Sequence, residues 1–123
     1  MKTVYTDKAP AAIGPYSQAM ISGGFVFTSG QIPVDPQSGE IVGADVTAQA
    51  EQALKNIGAV LAAAGSGFDR VVKATCFLSS MEDFAAFNAV YGKYMTNKPA
   101  RSCVAVKTLP KNVLCEVEVV AEV

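Results

Sequence analysis

The sequence predicts an α+β domain in which two helices pack on one face of a mixed β-sheet. Three observations lead there. Apolar residues recur at helical spacing in two separate stretches; β-branched and apolar runs bounded by turn residues surround them; and the segments follow the order hairpin, helix, strand, helix, hairpin. At 123 residues the chain is long enough to bury a core as one domain spanning 1–123.

The first hairpin is read from Ala19-Met20-Ile21 and Phe25-Val26-Phe27, separated by Gly23-Gly24, which can take the positive φ angles of a tight turn. Residues 33–44, with two prolines and two glycines, read as an exposed connection. Asp45 is placed to cap a helix whose residues Val46, Ala50, Ala53, Leu54, Ile57 and Leu61 share one face, and Gly65 ends it. Gly58 weakens that helix by about 1 kcal/mol relative to Ala, while it and the neighbouring alanines permit close packing on a sheet. Val71 to Leu78 contains no breaker and reads as a central strand buried on both faces. Ser80-Met81-Glu82-Asp83 resembles a capping box opening a second helix, on which Phe84, Phe87, Tyr91 and Tyr94 fall at helical spacing before Pro99 stops it. That aromatic stripe reads as core or subunit contact rather than a cofactor box. Arg101–Val106 and Val113–Val123, joined by a short segment with Leu109-Pro110, read as a closing hairpin.

Composition narrows the function classes. A net charge of −1 leaves no electrostatic footprint for nucleic acid. No apolar run is long enough to span a bilayer, and Met1–Lys8 lacks the apolar centre of a signal peptide, so no membrane partner and a cytoplasmic location are expected. Cys76, Cys103 and Cys115 form an odd set without metal-ligand spacing and read as free thiols. The chain contains no histidine, which excludes Ser-His-Asp and Cys-His machinery and the commonest zinc sites within one chain. Neither metal nor cofactor is expected. Any catalysis must rest on carboxylates, Tyr, Lys, Cys, Arg and backbone groups.

Arg101 then stands out. It is one of two arginines, set in a strand-like run, and its planar fork suits a carboxylate or phosphate. Alternation along Val113–Val123 puts Val113, Cys115, Val117, Val119 and Ala121 on one face, and Glu116, Glu118 and Glu122 on the other. A hairpin closing around Thr108-Leu109 would set Arg101 opposite Glu116, on its face, and Cys103 opposite Leu114. Two readings stay open: a cross-strand ion pair, or an arginine that clamps an anionic ligand beside a carboxylate that handles protons. Ser29-Gly30 after a strand, Tyr16 in Gly14-Pro15-Tyr16-Ser17, and Asn88 on the second helix each admit a plain structural role or a place around a ligand.

Together these stretches are more specific. Ala9-Pro10-Ala11-Ala12-Ile13-Gly14-Pro15-Tyr16-Ser17-Gln18, Thr28-Ser29-Gly30-Gln31-Ile32-Pro33, Phe87-Asn88, Pro99-Ala100-Arg101-Ser102-Cys103-Val104, Leu109-Pro110 and Glu116-Val117-Glu118 closely resemble the reactive intermediate deaminase A family, also called YjgF/YER057c/UK114. The resemblance spans nearly the whole chain in order. It implies a chorismate-mutase-like fold and a homotrimer with clefts between subunits. It also implies hydrolysis of enamines and imines such as 2-aminoacrylate and 2-aminocrotonate, released by pyridoxal-phosphate-dependent dehydratases, to 2-keto acids and ammonia.

Under the resemblance, Arg101 binds the substrate carboxylate with the Cys103 backbone, Glu116 positions or activates water, and Tyr16 assists proton transfer. Ser29, Gly30, Tyr16 and Asn88 line the cleft, partly from the neighbouring subunit. The alternative is a binding protein that senses small carboxylates without turning them over. RNA cleavage, a role attached to some relatives, fits poorly with the absent histidine and the net charge of −1.

Overall fold

Gly23 and Gly24 adopt φ angles of 62° and 84° and close a hairpin between β2 (Ala19–Ser22) and β3 (Phe25–Thr28). The computed structural model describes residues 1–123. A further strand, β1 (Lys2–Val4), pairs antiparallel with β2 and buries only Val4. With one buried side chain it carries no alternation for a sequence reading to detect.

The first helix, α1 (Val46–Ala63), begins where Asp45 Oδ1 accepts a hydrogen bond from Ala48 N at 2.9 Å. It ends with Gly65 at φ 80°, whose N–H donates to Ala62 O while Ser66 N donates to Leu61 O, a glycine cap that satisfies the last carbonyls. Gly58 accommodates a ring rather than the sheet: a Cβ there would lie 2.9 Å from Phe68 Cε2.

β4 (Val71–Leu78) has the predicted bounds but only one buried face. Val71, Ala74, Cys76 and Leu78 are buried, whereas Lys73 is exposed and Thr75 and Phe77 are half-buried. In place of a capping box, Ser80 Oγ accepts from Glu82 N and caps a short 3-10 turn, Met81–Asp83; α2 (Phe84–Tyr94) follows directly.

The closing hairpin does not form. β5 (Ala100–Ala105) and β6 (Cys115–Glu122) are separated by β4, in the strand order β1-β2-β3-β6-β4-β5. β4, α2 and β5 make a β-α-β unit, so β5 lies parallel to β4 and takes the flank a hairpin would need. The connection to β6 crosses the end of β4, with Val106 N donating to Leu78 O and Ser79 N to Leu114 O. Lys111 and Asn112 hold left-handed backbone there, both at φ 55°. Arg101 therefore sits opposite Ala74, and Cys103 opposite Cys76 rather than Leu114.

The buried residues of β4 and the stripe Cys115, Val117, Val119 and Ala121 of β6 meet Leu54, Ile57 and Leu61 of α1 and Phe87 and Val90 of α2. Both helices thus cover one face of a mixed sheet, as predicted. The other face carries no helix.

Candidate active site

Arg101 shares the sheet face of its partner Ala74, the face that the helices cover. There α2 presents Phe84, Asn88 and Tyr91, spaced so that all three fall on one side of the helix. Arg101 Nη1 donates to Asn88 Oδ1 at 2.8 Å. Its Cζ stands 4.7 Å from the centroid of the Tyr91 ring and 5.6 Å from that of Phe84. Delocalised charge and weak hydration suit a guanidinium to such ring faces. No carboxylate pairs with it, the one ion pair in the chain being Lys93 with Glu51. Asn88, Tyr91, Thr96, Lys98 and Arg101 line a cleft of about 450 Å³.

β5 is an edge strand, and its backbone orientation matters. Val106 N points toward β4, so by alternation Ala100, Ser102 and Val104 also turn their backbone groups inward. Arg101, Cys103 and Ala105 then direct theirs to the free edge, unpaired within the chain. The Cys103 thiol itself is half-buried against the core, and burial raises its pKa although the Arg101 charge opposes this. Burial pushes Cys76 and Cys115 up to about 12. Cys103 thus offers a backbone N–H, not a thiolate nucleophile.

Glu116 belongs to the other side of the sheet. Its partner on β4 is Phe77, while its chain neighbours Cys115 and Val117 point into the core. The expected pairing of Arg101 with Glu116 is therefore absent: the intervening strand β4 and opposite faces of the sheet separate them. Gly30 lies against the Glu116 side chain so closely that a Cβ there would overlap Oε2 and stand 2.8 Å from Cδ. Burial, with a smaller contribution from Glu118, raises the Glu116 pKa. Ser29 uses its hydroxyl proton within the chain, donating to Ser17 O at 2.6 Å, and its N–H donates to Gln18 O. Both bonds fix the loop that displays Tyr16, whose side chain is 54% exposed. Tyr16 and Gly30 border a cavity of about 340 Å³ together with Ile13, Gln18, Gln31 and Lys111.

Buried amides support this half, and the sequence reading did not single them out. Gln18 accepts from Thr6 N and donates to Thr6 O, Ala9 O and Pro10 O, tying residues 6–10 beside the Tyr16 loop. Asn56 donates to Ile32 O and Val34 O, and Gln49 receives Leu114 N and donates to Gly43 O. Gln49 and Asn56 lie within the apolar stripe of α1, and a polar residue inside such a stripe is the signal that marks them. Gln18 carries no comparable signal.

The family follows from comparison with known proteins. The family described as Endoribonuclease L-PSP matches residues 6–123. The chain belongs to the L-PSP family. This is the YjgF and reactive intermediate deaminase A family that its motifs resemble. The L-PSP chain is 50% identical over 124 residues to the 2-iminobutanoate/2-iminopropanoate deaminase of Escherichia coli K12, with 98% of this chain and 96% of that protein covered. The crystal structure of the Escherichia coli YjgF gene product superposes with a TM-score of 0.94 at 48% identity, over 99% of this chain and 98% of that one. Escherichia coli TdcF with bound serine gives 0.95 at 46% identity, over 100% and 99%. L-PSP relatives thus share the α+β fold while their names span a deaminase and an endoribonuclease.

Proposed function

We propose that this L-PSP chain is a 2-iminobutanoate/2-iminopropanoate deaminase that hydrolyses enamines and imines, such as 2-aminoacrylate and 2-aminocrotonate, to 2-keto acids and ammonia. The observation that carries the reading is Arg101: a guanidinium held by Asn88 and two rings, lacking any carboxylate of its own chain and lining a cleft. Such a group is prepared for a small carboxylate. The deaminase name of the Escherichia coli relative supports the substrate class.

The chemistry asks little of the protein. An enamine tautomerises to an imine whose carbon is already electrophilic. Water adds to that carbon as its proton passes to a base and the imine nitrogen is protonated; the carbinolamine then collapses, C=O forms, and ammonia departs with the returned proton. Arg101 anchors the carboxylate and the Cys103 N–H assists it. Glu116, its carboxyl raised by burial, is the group suited to take and return the proton. Tyr16 assists that transfer, with Ser29 and Gly30 holding the surroundings. Pyridoxal-phosphate-dependent dehydratases are the class of enzyme whose products supply this substrate.

Because Arg101 and Glu116 occupy opposite faces of one sheet, we infer that the complete site lies between copies of the chain, in a homotrimer. The helix-free face supports this. It leaves Phe27 and Val104 47% and 46% exposed, with Met20, Phe77 and Val120 only half-buried.

The test couples the protein to a threonine dehydratase and follows 2-keto acid release as the semicarbazone. Acceleration by the wild type and its loss in Arg101→Ala are expected; equal acceleration by both would sink the reading. Arg101→Lys keeps the charge without the fork and should recover little activity. One observation favours a second reading, a small-carboxylate binding protein: the relative TdcF holds serine. Tight 2-oxobutyrate binding measured calorimetrically, with no turnover of 2-aminocrotonate, would select it.

A further inference from the structure

Gln31 is 5% exposed, yet its carboxamide makes no hydrogen bond within the chain. The other buried amides, Gln18, Gln49 and Asn56, are each held by partners of their own. The backbone N–H and C=O of Gln31 are both taken by Val117, so the group it has left to offer is the side chain. The one wholly buried side-chain polar atom without a partner is the Tyr91 hydroxyl, so both polar atoms of the Gln31 amide keep some accessible surface. That surface opens on the cavity of about 340 Å³ beside the Tyr16 loop, which Gln31 lines. Water reaches the amide there, and so does any ligand that displaces the water.

Other groups of the cavity converge on one chemistry. Gln18 spends its amide on Thr6, Ala9 and Pro10, which leaves Gln31, Tyr16 and Lys111 as the polar side chains free to meet a guest. Lys111 has no carboxylate partner, and no carboxylate lines the cavity. Its backbone is fixed: Lys111 and Asn112 both hold φ 55°, a left-handed conformation uncommon outside glycine, closed by Asn112 N donating to Leu109 O and Val113 N to Pro110 O. Ile13, Ile32, Val34 and Pro110 supply an apolar wall. One cation and two neutral donors over such a wall match an aliphatic body that ends in a carboxylate. The cavity shares no lining residue with the Arg101 cleft, and Gln31, as the partner of Val117, belongs to the sheet face opposite Glu116.

We propose that this cavity is a second ligand site, for a small aliphatic carboxylate: Lys111 takes the carboxylate, Gln31 Nε2 donates to it, and the apolar wall holds the alkyl body. The site stands apart from the reading of Arg101. Through Tyr16 and Gly30, which border it, a guest there touches residues proposed to serve the imine.

Arg101→Ala removes the other carboxylate anchor and serves as the background. Calorimetry of the full chain in that background should show 4-methylpentanoate bound at one site per chain. Gln31→Leu, close in volume, and Lys111→Gln, at an exposed position, should each raise Kd about tenfold or more, the range for losing one hydrogen bond to a charged group. The uncharged 4-methylpentanamide should bind more weakly by a similar factor. No binding to Arg101→Ala, or a Kd that either folded variant leaves unmoved, overturns the site; an amide that binds as tightly as the acid overturns its preference for anions. Lys111→Gln decides the matter alone if Gln31→Leu does not fold. No turnover is measured, so these outcomes are independent of whether the chain is a deaminase.

Discussion

Gly30 is the residue at which function and stability should separate most cleanly. In Gly30→Ala the new methyl would occupy the place of Glu116 Oε2, the far end of a flexible side chain that can swing aside. The fold should survive with Tm little changed, while kcat/KM falls about 100-fold as the carboxylate leaves its place. Glu116 makes a second prediction, about pH. Burial raises its pKa, so its charging costs more in the folded chain than in the unfolded one. Its contribution to stability is full below the ordinary carboxylate value and is lost as pH rises through the raised folded value. Glu116→Gln cannot charge, so its stability relative to wild type should grow with pH across that window and level off above it. Melts from about pH 4 to about pH 8 would show this; an advantage that shrank with rising pH would mean that the ionised carboxylate is favoured in the fold.

At the scale of elements, α1 does more than cover the sheet. Asn56 is 1% exposed and holds two carbonyls of the segment that follows Gly30. Asn56→Ala should cost about 2–4 kcal/mol in urea unfolding, because Ile32 O and Val34 O lose their donor. Elements of this kind differ in how far they can be read in advance. α1, β4 and the Gly23-Gly24 turn were legible because cap, period and glycine placement agree locally. The placement of β5 was not, since pairing among β4, β5 and β6 is decided by non-local competition for the flanks of β4. That error put Arg101 and Glu116 side by side. The motif resemblance names both residues, along with Asn88, Ser29, Gly30 and Tyr16, without depending on that register, since a motif names residues without specifying how their strands pair. The aromatic stripe serves both core and cleft: Phe87 is wholly buried, whereas Tyr91 carries the Arg101 guanidinium over its ring, a division that helical spacing does not reveal.

For the whole molecule, the decisive fact is that the cation and the carboxylate are displayed on opposite sides of one sheet. A cleft shared between copies predicts complementation. Arg101→Ala and Glu116→Gln, each inactive alone, should regain about one quarter of wild-type activity when unfolded together in equal amounts and reassembled, since one subunit pairing in four joins an intact arginine to an intact glutamate. Two inactive variants that stay inactive after mixing would place the whole site within a single chain.

The bare sheet face has a consequence in time as well as in space. A newly synthesised chain that has completed its own fold still shows Phe27, Val104 and the unpaired backbone of β5. If the proposed homotrimer is the working form, the lone chain is, until other copies arrive, a template for strand addition by any extended segment it meets. Association is a concentration-dependent encounter, so this interval lengthens when the protein is scarce. Low expression should therefore reduce the yield of intact protein more than proportionally, through proteolysis and mispairing, before it limits the chemistry.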